Sequence, residues 1–229
     1  MDSAPSPNDL VHPVLEGRKD VSAELADAVR RLIGLTTATT APADVTSAAV
    51  RDLNAIADVL ESHVPDIPLP NTVVHQPEPE GLPDLAERMP FDVVIGRHNP
   101  LALPMEIALE PPKAVMRGAF TRPYEGPPGC VHGAMIAAAF DTLLAAANVV
   151  EGLAGPTARL EIRYRRPTLL NTPSVLEGWV EHREERSVRT VGRLTQNGRV
   201  TAEAVGEFAL LDREQIARMA ARVSAGKAG

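Results

Sequence analysis

The chain has 229 residues, 44% of them hydrophobic but only 3% aromatic, enough for one substantial core built from Ala, Val, Leu and Ile rather than from rings. A single cysteine, Cys130, excludes an intrachain disulfide, and the start Met-Asp-Ser-Ala-Pro-Ser-Pro lacks the basic and apolar regions of a signal peptide, so a cytoplasmic protein is expected. The net charge of −7 is uneven, −9 over residues 1–90 and +2 over 91–229, and the acidic half argues against nucleic acid or an anionic membrane as partner.

Residues 1–18 read as a polar, mobile segment. Asp20 is placed to cap a helix running to about Gly34, with Leu25, Ala28, Val29, Leu32 and Ile33 on one stripe. Asp44 opens a second, to about His63, whose Ala49, Val50, Leu53, Ile56, Ala57 and Leu60 follow the helical period; both stripes need a surface to bury against. Pro65 to Pro90 holds seven prolines and reads as a stiff, extended connector, which divides the chain into a helical extension, 1–90, and a main domain, 91–229.

Met105–Glu110 and Ala114–Phe120 read as a hairpin widened by Pro111-Pro112. A long apolar helix follows from Gly133 to about Val150, with Asp141 near its middle; that acid and the helix length make it a buried helix of a soluble protein rather than a membrane span. Thr157–Arg166, Val175–Arg183, Ser187–Thr195 and Arg199–Leu211 are four strands, the last two joined at Asn197-Gly198, and 212–229 form a short tail. A strand pair, one apolar helix and a four-strand meander is an α+β arrangement in which a curved antiparallel sheet wraps a helix. Alanines 137, 138, 139, 145, 146 and 147 would let that sheet approach closely.

The chemistry concentrates in Gly126-Pro-Pro-Gly-Cys-Val-His-Gly-Ala134 and the helix it opens. A helix start carries unpaired N–H groups and partial positive charge, so Gly133 and Ala134 can aim donors at a developing oxyanion, while Asp141 can act on water or directly on a carbonyl. Cys130, two residues before His132, could share a face with it as a dyad, but no orienting third group is present. No Walker sequence, dinucleotide fingerprint or metal-spaced His/Cys set occurs, so no metal or cofactor is expected.

Three segments in order resemble the hot-dog thioesterase superfamily, in its phenylacetyl-CoA-thioesterase-like branch and in superfamily members 4 and 5. They are the His132-Gly133 pair with Asp141 nine residues on, the strand Thr157 to Pro167 ending Tyr-Arg-Arg-Pro, and the entry segment Gly96-Arg-His-Asn99-Pro-Leu-Ala-Leu103. Two glycines of the family pattern are replaced here, by Ala134 and Ala102. The resemblance covers about residues 95–211 and implies a hot-dog fold with an N-terminal helical extension. It also implies hydrolysis of an acyl-CoA, Asp141 being general base or nucleophile, His132 at the helix entrance and Thr157 beside the acid. Arg165 and Arg166 would lie near the CoA nucleotide and Asn99 in a substrate-binding entry segment; CoA is then part of the substrate, not a cofactor. The assembly implied is a homodimer, with a tetramer of two such dimers as the alternative.

Other readings have their own signatures. The N-terminal helices suggest a non-catalytic acyl-CoA sensor coupled to a DNA-binding unit, which their net −9 disfavours, and enoyl-CoA hydration on this fold uses a different motif. Asp141 lies eight residues beyond Gly133, so at ~1.5 Å rise per residue the two are ~12 Å apart along one helix. One chain cannot bring both to a single carbonyl, whereas antiparallel helices across a two-fold can, which makes the dimer obligate and Asp141 a contributor in trans.

Overall fold

The computed structural model describes residues 12–66 and 84–210. Residues 1–11, the connector 67–83 and the tail 211–229 lie outside the described residues. Helices α1 (Lys19–Thr36), α2 (Ala43–Glu61) and the single turn α3 (Leu85–Arg88) precede the hairpin β1 (Met105–Glu110) and β2 (Lys113–Gly118). The long helix α4 (Gly133–Val150) and strands β3 (Thr157–Tyr164), β4 (Ser174–Arg183), β5 (Ser187–Gln196) and β6 (Arg199–Ala209) complete the chain. The six strands form one antiparallel sheet in the order β1-β2-β4-β5-β6-β3, and α4 contacts every strand. This is the hot-dog arrangement expected.

Helix α4 is apolar nearly all round because it sits inside the sheet's curve. Ile136, Ala139, Phe140, Leu143, Leu144, Ala146, Ala147 and Asn148 are buried. Full burial of a side chain such as Phe140 or Leu143 contributes about 1.5–3 kcal/mol. The close approach comes from both partners: a Cβ on Gly178 or Gly192 would press Leu143, Leu144 or Phe140 at 3.1–3.4 Å. Of the six alanines, 139, 146 and 147 are buried, while 137, 138 and 145 are half-buried, with 138 and 145 still packed on the core. Buried Asn148 accepts a hydrogen bond from the Thr190 hydroxyl, tying the helix end to β5.

Several local expectations are corrected. Pro111 and Pro112 make a two-residue turn, with Glu110 paired to Lys113; two prolines there forfeit no ladder donor. Asp20 and Asp44 sit inside the first turns of α1 and α2 rather than capping them, the caps being Arg18 and Pro42. Helix α3 interrupts the expected extended connector because Asp84 accepts the Ala86 and Glu87 N–H groups as a true N-cap, and Leu85 enters the main core. Within the segment read as mobile, Leu15 is buried and the His12 ring meets Phe91 edge-on at 5.1 Å. Helix α1 packs against the body through Ala23 and Ala26, whereas α2 buries none of its residues and leaves Val50, Ile56 and Leu60 exposed.

The outer face of the sheet carries cross-strand ion pairs, including Glu177 with Lys113 (2.7 Å) and Arg193 (2.6 Å), Arg189 with Glu181 (2.7 Å) and Arg165 with Glu203 (2.7 Å). Much of the arginine cluster of β3–β6 is therefore spent on neighbouring carboxylates.

His98 is buried beside Phe91, and its Nδ1 has no hydrogen-bond partner among the described residues. Burial holds its pKa below the ordinary value of 6.5, with Glu87 opposing. A depressed histidine pKa means that the unfolded chain takes the proton first as pH falls, so this contribution is complete above about 6.5 and is lost at lower pH. His98→Gln should therefore show a shallower fall of Tm between pH 7.5 and 5 than the parent; equal slopes would remove His98 as the cause.

Candidate active site

The loop before α4 is built to hold the helix start still. Glu125 and Val131 bridge as a short antiparallel pair, the Glu125 carboxylate accepts the Gly129 N–H (2.7 Å), and the Gly126 N–H donates to the Cys130 carbonyl (2.9 Å). Gly129 sits at φ +73°, where glycine carries no Cβ penalty. The His132 N–H donates to the Tyr124 carbonyl (2.8 Å), so the entrance residue is tied back to the turn Arg122–Tyr124.

His132 is the N-cap of α4: its Nδ1 accepts the Ala134 N–H at 3.0 Å, which requires that nitrogen to be unprotonated. The two expected oxyanion donors are therefore unequal. Ala134 has its N–H engaged by the cap, while the Gly133 N–H has no acceptor among the described residues and lies in the positive field of the helix end. His132 acts here as a helix cap, with its imidazole otherwise exposed.

Asp141 is half-buried on α4, not enclosed by its apolar neighbours as expected. Its Oδ1 accepts the Thr157 hydroxyl at 2.8 Å. Plain alternation would put Thr157 with Arg159, Glu161 and Arg163 on the outer face. A β-bulge intervenes: Thr157 pairs with Phe208 and Arg159 with Glu207, leaving Ala158 as the extra residue. The bulge turns Thr157 to the helix side, where Leu160 and Ile162 pack on the core.

Tyr164 belongs to the same region, although no role was expected for it. Its hydroxyl donates to the Gly133 carbonyl at 2.9 Å, so the two ends of β3 hold α4 at Asp141 and at Gly133. The signal was present in the alternation, which places Tyr164 with Leu160 and Ile162 on the inward face.

Other candidates are not brought to this centre. Asn99 spends its amide locally, donating to the Phe91 carbonyl (3.0 Å) and accepting the Leu101 N–H (2.9 Å). Arg165 is paired with Glu203, and Arg166 donates to the Val200 carbonyl (2.8 Å); both remain exposed at the strand end. No hydrogen bond joins Cys130 to His132. Among the described residues no three His, Cys, Asp or Glu side chains gather to hold a metal ion.

A family model described as Thioesterase superfamily matches residues 128–203, the span from the loop to β6. The crystal structure of protein RHA08564, a thioesterase superfamily protein, is 32% identical, with a TM-score of 0.69 over 82% of this chain and 94% of its own. The chain belongs to the thioesterase superfamily. Two further structures resemble its hot-dog part. A hypothetical thioesterase with coenzyme A from Streptococcus pneumoniae is 18% identical over 46% of this chain and 87% of its own (TM-score 0.44). The PaaI protein from the E. coli phenylacetic acid degradation operon is 19% identical over 48% of this chain and 81% of its own (TM-score 0.45). No curated protein matches the chain. Helices α1 and α2 lie ahead of the segment that the family model matches.

Proposed function

We propose that this thioesterase superfamily protein hydrolyses an acyl-CoA to a free carboxylic acid and CoA, and does so as an obligate homodimer. The observation that carries the proposal is the pair of half-sites on one helix: a carboxylate held by the Thr157 hydroxyl, and, eight residues earlier, a free N–H at the positive helix end. In this reading Asp141 takes a proton from water as the water oxygen attacks the thioester carbon. The carbonyl oxygen becomes an oxyanion against the Gly133 N–H of the other protomer. Collapse expels CoA thiolate, and Asp141 returns the proton to sulfur. A nucleophilic Asp141 would pass through an anhydride instead; where water opens that anhydride at the Asp141 carbonyl, single turnover in H₂¹⁸O leaves label in the Asp141 carboxylate.

The edges of the fold support the assembly. Strand β3 lies at one end of the sheet, its second edge unpaired among the described residues and most of its residues exposed. Beside it, the half-buried face of α4 presents Ala137, Ala138, Asp141, Thr142 and Ala145, small enough for a second helix to approach. Two copies pairing β3 to β3 cover both and set the helices antiparallel.

Release of free thiol from a panel of acyl-CoAs tests the activity; no turnover with any of them would sink it. Thr157→Val keeps the strand-forming shape and removes only the hydroxyl. Losing a hydrogen bond to a charged group, about 1.5–3 kcal/mol, should lower kcat about 10- to 100-fold with less change in KM. An unchanged kcat would reduce Thr157 to a strand residue.

A further inference from the structure

We infer, building on the acyl-CoA reading above, that the cavity between α1 and the helix-entrance loop seats the substrate's acyl tail, and that this tail is a linear aliphatic chain. The cavity has a volume of about 690 Å³, the size of a small-molecule site. Its walls include Ile33 of α1, Leu101 of the entry segment with Val93 and Pro104 flanking it, Pro123 of the loop and Met135 of α4.

Three observations point to this occupant. First, the cavity adjoins the reaction centre: Met135 is two residues from Gly133, and Tyr124, also in the wall, holds the His132 N–H through its carbonyl. Second, Val93 and Leu101 are each 56% exposed, so among the described residues nothing covers these apolar side chains at the rim. Third, although Asp27, Arg30, Arg31, Arg122 and Asn171 also stand in the wall, most of the surface open to the cavity is apolar; Tyr124 is the one aromatic ring there, and its hydroxyl is tied to the Ala102 carbonyl at 2.9 Å. Flexible Met135 among prolines and branched side chains suits a methylene chain rather than a stacked ring.

The wall contributed by α1 is fixed in place. Arg30 donates to the Asn99 carbonyl (3.0 Å), and Arg122 donates from its Nε to the Thr37 carbonyl at the end of α1 (3.0 Å). The N-terminal extension thereby becomes a specificity element, and the chain-length preference is set outside the hot-dog sheet. Gly34 offers a clean probe: it lines the cavity, and a Cβ there meets nothing within 4 Å, so a large side chain can enter the space without displacing the fold.

The experiment measures binding of dodecyl-CoA and ethyl-CoA thioethers, which cannot be hydrolysed, to the full chain and to the Gly34→Trp and Val93→Trp variants. The parent should bind the dodecyl compound at least tenfold tighter than the ethyl one, and that ratio should fall at least tenfold in the variants. The kcat/KM ratio of dodecanoyl-CoA to butyryl-CoA should fall in parallel. A binding ratio unchanged in both variants overturns the cavity assignment, and a 2-phenylethyl-CoA thioether bound more tightly than the dodecyl one overturns the aliphatic class. The expected binding ratio with no thiol release from any acyl-CoA would instead overturn the hydrolysis reading and leave the cavity assignment standing. Failure to bind either thioether overturns both.

Discussion

Asp141→Ala is expected to lower kcat for acyl-CoA hydrolysis by about 10²–10⁴-fold, the range for removing a positioned general base, and to leave the fold intact because Asp141 is half-buried and bonded only to Thr157. The stronger test is complementation. Gly133→Val should cripple the other half-site, since a Cβ at Gly133 already stands 3.1 Å from the Tyr164 hydroxyl. Neither variant alone retains a complete site. After refolding together, half of the dimers should be mixed, and each mixed dimer joins the intact Asp141 of one chain to the intact Gly133 of the other. About a quarter of parental activity should return. Demonstrated heterodimers without any activity would show that acid and helix end do not act across the two-fold.

The architecture could be read from the residues because its main signals are periodic. The helical period around Ile136, Phe140 and Leu144 and the alternation in β3–β6 set element type and placed most strand ends within one or two residues of those observed. What escaped was local competition for hydrogen-bond groups. The pattern at Gly133-Ala134 shows two helix-start donors, but only the three-dimensional turn reveals that His132 Nδ1 occupies one of them. Asn99 carries an amide suited to a ligand, yet the fold around Phe91 and Leu101 consumes both ends of it. Arginine spacing on β3–β6 is equally compatible with phosphate or with Glu177, Glu203 and Glu181 on neighbouring strands, and cross-strand register decides in favour of the carboxylates. The bulge at Ala158 is the instructive case: no residue there announces it, but without it Thr157 would face solvent and not Asp141.

What keeps Thr157 in that position is the approach to β3, and Gly155→Ala should expose it. A Cβ at Gly155 would lie 1.7 Å from the Ala209 carbonyl oxygen and 2.8 Å from its carbon, both backbone atoms at the end of β6 that no rotamer change can move aside. That end is also engaged in the ladder, with the Ala209 N–H donating to the Pro156 carbonyl at 3.1 Å. Relief requires the strand ends to separate, so a loss of about 2–4 kcal/mol is expected, in the range of overpacking and broken backbone contacts. Gly152→Ala is the internal control. Its φ of +67° costs an alanine about 1–2 kcal/mol, but its Cβ meets nothing within 4 Å. The two variants should differ in function as well as in stability. Gly155→Ala shifts the residue two positions before Thr157 and should lower kcat along with Tm, whereas Gly152→Ala should lower Tm alone. Chemical denaturation and thiol-release kinetics on the same samples separate these outcomes. If both variants lost stability equally and kept full kcat, contact with Ala209 would not be what aims the Thr157 hydroxyl at Asp141.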